Sequence, residues 1–177
     1  MMLLTILLVC APGFAAADQY DSRLEPLFDD LRSGEGDPDT IVSDIQSIWL
    51  TAPEAGLNVL VERVVSAMEA GDNASAAVLI GHLTGLAPHY AEGWVMKGHL
   101  AMLEEDRVTA TIAFQKAIAL EPRHFYALEM LGDLALMSGH DDRAFGRYRE
   151  ALDINPYLEN ARSQMNQLRR QMSGQEI

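Results

Sequence analysis

Pro88, Pro122 and Pro156 stand 34 residues apart, and each closes a segment of the form Leu-x-Pro or Ile-x-Pro. Placed in register, residues 91–124 and 125–158 match at Trp94 and Leu128, Gly98 and Gly132, Ala110 and Ala144, Phe114 and Tyr148, and Ala117 and Ala151. A period of this length marks a unit that cannot bury its apolar face alone and must stack on its neighbours. Trp94, Gly98 and Ala101 fall on one stripe of a helix, and Ala110, Phe114 and Ala117 on one face of a second. Glycine costs a helix interior about 1 kcal/mol against alanine. Gly98 therefore predicts a close helix crossing, with small Ala110 on the partner. Glu105-Asp106 and the run 139–142 supply the turns, and each proline stops a second helix because it lacks the backbone donor.

These windows resemble tetratricopeptide repeats, and the resemblance implies an all-α solenoid of antiparallel hairpins that binds other proteins. Residues 57–90 read as a divergent copy that keeps Leu60, Ala67, Gly71-Asp72, Ala76, Ile80 and Pro88. Val64 stands where the crossing glycine belongs, so this hairpin is expected to splay or to repack. Residues 159–177 form a capping helix and tail, with Ala161, Met165, Leu168 and Met172 on one apolar stripe. Residues 18–56 read as a degenerate helical hairpin or N-terminal cap. The strings Ala91-Glu92-Gly93-Trp94 and Leu120-Glu121-Pro122-Arg123-His124-Phe125 resemble those of exported alphaproteobacterial repeat proteins.

Residues 1–17 carry no charge, run apolar from Met2 to Cys10 and end in small residues. This is the pattern of a secretory signal peptide cleaved after Ala17, although no Lys or Arg precedes the apolar run. The run is shorter than the roughly 20 residues that span a bilayer. The expected location is the periplasm or the secreted fraction of a Gram-negative bacterium, with no membrane insertion after cleavage. Cys10 is the sole cysteine, so the mature chain has no disulfide or thiolate site. The net charge of −13 lies wholly outside the leader; it disfavours nucleic acid and anionic lipid as partners.

Chemistry-bearing constellations do not emerge. The histidines lack zinc-ligand spacing, and His124, at the joint between two repeats, reads as structural. The acidic pairs sit at helix ends or turns. An enzyme, a cofactor and a metal are all unexpected. In tetratricopeptide stacks the first helices line a concave groove. By that resemblance the lining here is Asn58, Val61, Val65 and Met68, then Glu92, Val95, His99 and Met102, then Tyr126, Glu129, Asp133 and Leu136. Relatives that clamp a C-terminal carboxylate use Lys, Arg and Asn at places held here by Val95, His99, Glu129 and Asp133. A groove apolar at one end and acidic at the other suits a basic or amphipathic protein segment. The alternative is a self-assembling structural or accessory subunit of a cell-envelope complex, a homo-oligomer formed through an uncovered stripe on the last helix.

Overall fold

A computed structural model of the chain describes residues 21–174, so the expected signal peptide lies outside the described residues. Those residues form nine α-helices and no strand: α1 (Leu24–Ser33), α2 (Pro38–Trp49), α3 (Ala55–Glu69), α4 (Asn73–Leu86), α5 (Ala91–Leu103), α6 (Arg107–Leu120), α7 (Phe125–Met137), α8 (Asp141–Ile154) and α9 (Glu159–Gly174). The expected all-α solenoid is what the described residues form.

The period governs the turns as well as the helices. Gly71, Glu105 and Gly139 follow α3, α5 and α7 in the left-handed region, at φ 68°, 59° and 70°. Asp72 and Asp106 then cap the second helices, their carboxylates accepting from the backbone N–H of Ser75 and Thr109. These bonds hold both carboxyls below the usual carboxylate range.

A close crossing fixes α5–α6 and α7–α8. A Cβ on Gly98 would lie 2.6 Å from the Phe114 ring, and one on Gly132 would lie 2.6 Å from the Tyr148 ring. The ring, rather than small Ala110, fills the space that the glycine opens, because only an aromatic reaches across the gap between the helix axes. In α3–α4 the same two places hold Val64 and Ile80, both buried. There the volume moves from one helix to the other, and the pair is repacked around the valine with a looser fit than the two later hairpins.

Helices α3 to α9 stack in chain order, each touching the next. The hairpin α1–α2 breaks that order: it packs chiefly on itself and on α8. Its Leu24, Phe28, Leu31, Ile45 and Trp49 join one apolar core with Phe125, Leu128, Tyr148 and Leu168. Arg123 anchors the dock. Its guanidinium pairs with Glu25 at 2.8 Å and with Glu121 at 3.0 Å, and it lies over the Phe28 ring at 4.6 Å. The side chain of Glu121 is buried, which makes this pair a requirement of the fold rather than a surface ornament.

The start of the stack is therefore solvated by substitution. Met96 and Leu100 of α5 pack back into the core of α3–α4. The places matching them in register on α3 are Glu62 and Ser66, both exposed. A terminal repeat with a polar outer flank needs no apolar cover. At the other end, α9 lays Ala161 and Leu168 into the core with Met165 against it, so this part of the stripe is covered.

Candidate interaction site

The expected groove residues divide into two groups with different fates. On α3, Val61 is buried, while Asn58, Val65 and Met68 are half-buried. Asn58 Oδ1 accepts from the N–H of Ala52 at 2.8 Å and so fixes the linker from α2 into α3. Along this helix runs a cleft of about 500 Å³, lined by Asn58, Val61, Glu62, Val65, Ser66 and Glu69 and also by Ser47 of α2 and by Leu50 and Thr51 just past its end. The end of α2 at this cleft has no counterpart in the sequence pattern, and Glu62 and Glu69 join the lining beyond the expected positions. Their signal was available: they are polar where the next repeat has Met96 and Leu103.

On α5 and α7 the polar side chains are engaged within the fold. Glu92 Oε2 lies 3.0 Å from His124 Nε2. His124 Nδ1 accepts from the N–H of Ala127 at 3.2 Å, capping α7. A nitrogen that accepts carries no proton, so the imidazole is the Nε2–H tautomer and donates to Glu92. Val95 is buried and Met102 half-buried, both against the α5–α7 core. His99 meets the Phe114 ring edge-on at 5.3 Å. Burial pulls its pKa down, against the opposing pull of the Glu92 carboxylate.

Glu129 does not offer a free charge to a groove. It is buried, and its Oε1 accepts from Asn160 Nδ2 at 3.1 Å and from the N–H of Ala161 at 3.0 Å, where it receives the first turn of α9. Burial raises its pKa. Asp133 accepts from the Tyr148 hydroxyl at 2.6 Å, and burial together with that bond pushes the phenol pKa strongly up. Tyr126 and Leu136 are half-buried against the core that α1–α2 share. The carboxylates expected to make one end of the groove acidic thus hold helices together, and of the expected groove lining the open part is the α3 cleft.

No group of three or more His, Cys, Asp or Glu among the described residues is placed to hold a metal ion, and none of their helices is long and apolar enough to cross a membrane.

Three stacked hairpins, glycine–aromatic crossings and a terminal capping helix define a tetratricopeptide-type α-solenoid. The comparisons agree with that class. A TPR repeat-containing protein of Rhizobium etli is 28% identical over 162 residues, covering 90% of this chain and 79% of that protein. Anaphase-promoting complex subunit 3 of Schizosaccharomyces pombe and protein bimA of Emericella nidulans are 28% and 32% identical over 85 residues. Those stretches are 48% of this chain, but only 13% and 10% of the fungal proteins. The crystal structure of MamA superposes with a TM-score of 0.62 at 21% identity, covering 81% of this chain and 84% of that one. No protein-family profile matches the chain. The resemblance to tetratricopeptide-repeat proteins thus extends over nearly the whole folded part, and a scaffold for protein interaction is the general role it supports.

Proposed function

We propose that this protein is a non-enzymatic scaffold, exported to the periplasm, that holds a basic or amphipathic segment of another protein in the cleft along α3. The observation that carries the reading is the cleft itself. Val61 and Val65 give it an apolar floor, and Glu62 and Glu69 on its rim make no ion pair with any described residue. In the next hairpin the flank matching Glu62 and Ser66 packs against a preceding helix. An incoming amphipathic helix laid beside α3 takes the place of that neighbour, with apolar side chains on the valines and cationic ones at the two glutamates.

The test uses the mature chain and a fluorescein-labelled amphipathic helix of lysine and leucine. Wild type is expected to bind it, and Glu62→Lys with Glu69→Lys to weaken binding by about tenfold or more. Equal binding by both proteins sinks the reading. Export is checked separately by fractionation and N-terminal sequencing of the product; a chain that keeps residues 1–17 in the cytoplasm overturns that part alone.

A further inference from the structure

A second cleft, of about 420 Å³, lies between the second helices α6 and α8. Its floor is the C-terminal half of α7, through Leu131, Leu134 and Ala135. Thr111 and Gln115 of α6 form one wall, and Arg143 and Arg147 of α8 form the other. Residues four apart on a helix point the same way, so both guanidinium groups address the same space. Gly146 also lines the cleft, and a Cβ there would meet nothing within 4 Å, so the space beside it is open.

The charges at this cleft run against the rest of the chain. Acidic residues outnumber Lys and Arg by 26 to 13, yet the lining holds two arginines and His140 against one carboxylate, Glu150. Glu150 pairs with Arg147 at 2.7 Å. Arg143 is exposed and forms no ion pair with any described residue, and Asp141 and Asp142 on the same helix do not line the cleft. Two forked donors over an apolar floor match carboxylates separated by an aliphatic side chain, since guanidinium and carboxylate form paired, charge-assisted hydrogen bonds.

We propose that the cleft between α6 and α8 binds an acidic, leucine-bearing peptide segment of a partner protein. Arg143 and Arg147 take its carboxylates, and Leu131, Leu134 and Ala135 take its apolar side chain. With opposite charge preferences at two clefts that share no lining residue, the stack can bridge two partners. The chain's net negative charge opposes long-range approach, but at physiological salt that field is screened within about 8 Å, whereas the cleft contacts act at hydrogen-bond range.

The test is fluorescence titration of the mature chain with a labelled peptide alternating glutamate and leucine. It is run beside a lysine–leucine peptide, and also against inorganic phosphate as competitor. The glutamate peptide is expected to bind, to weaken with salt, and to lose about tenfold or more in affinity in Arg143→Glu with Arg147→Glu. Glu62→Lys with Glu69→Lys is expected to leave it unchanged. Should the double charge reversal lose helicity, Arg143→Gln with Arg147→Gln carries the same expectation with a smaller loss. Failure of the glutamate peptide to bind, equal binding by the arginine variants, or full displacement by phosphate each overturn the proposal; the last reduces the cleft to a simple anion site.

Discussion

Trp49 lies flat on His124, ring centroids 4.1 Å apart and 14° from parallel. The stack joins the last residue of α2 to the cap of α7, and His124 is fully committed: one nitrogen to Glu92, the other to the backbone of α7, a face to the indole. Trp49 also reaches Phe28 and Phe125, at 6.0 and 5.2 Å, so it is the peg on which the N-terminal hairpin hangs. Trp49→Ala is expected to cost about 3–5 kcal/mol in urea unfolding. Hydrogen exchange in α1 and α2 should rise while α3–α6 stay protected. Uniform loss of protection would show that the hairpin is not a separable unit.

Glycine to alanine has opposite signs at a helix crossing and away from one. Gly98→Ala gains about 1 kcal/mol of helix propensity but drives a methyl into Phe114, and overpacking of this kind costs about 1–3 kcal/mol. The net is expected to be destabilising. Gly98→Val with Phe114→Ile, which reproduces Val64 and Ile80, should be less destabilised than Gly98→Val alone. Gly81, with open space around its added Cβ, is expected to gain up to about 1 kcal/mol as Ala. Urea midpoints of the set decide the matter.

Glu105 holds φ 59° where Gly71 and Gly139 serve the other two hairpins. A side chain there strains the backbone by about 1–2 kcal/mol. Glu105→Gly should raise the melting temperature, part of the gain being offset by the freer unfolded chain. A lower melting temperature would mean that Glu105 makes a compensating contact.

Glu129 receives the N-terminus of α9, so Glu129→Leu leaves the donors of Asn160 and Ala161 without their acceptor. The loss of a buried partner is expected to cost about 1–3 kcal/mol, with faster amide exchange in the first turn of α9 than elsewhere.

His99 sets a pH dependence. Its folded pKa lies below the unfolded value of 6.5, so between the two the unfolded chain binds the extra proton. The stability it contributes is present above pH 6.5 and is lost as pH falls through 6.5 toward the folded pKa. Urea midpoints should drop between pH 7.5 and 6 in wild type, and less in His99→Gln. Glu129, with its raised pKa, acts in the opposite sense above 4.5, and it is common to both proteins.

The hairpins and their turns were legible because the proline stop, the crossing glycine and the turn between helices recur at 34 residues, whereas the aromatic that meets the glycine, in place of Ala110, came only from the packing. Repetition turns a weak local preference into a pattern, and Val64 with Ile80 could be read as a departure from it. The groove was legible only as a set of positions. Val61 and Val65 line a cleft, but Glu129, Asp133 and Glu92 are engaged by α9, Tyr148 and His124. Nothing in a single sequence says whether a carboxylate on a helix face finds a donor inside the fold.

By itself, then, the sequence determined the solenoid, because stacking is the one way such units bury their apolar faces, each needing only its neighbour in the chain. Tertiary structure decided where α1–α2 dock and which surfaces stay open. The Trp49–His124 stack and the Glu25–Arg123 pair join residues far apart in the chain through contacts with no period. Their partners are settled by shape and desolvation in three dimensions.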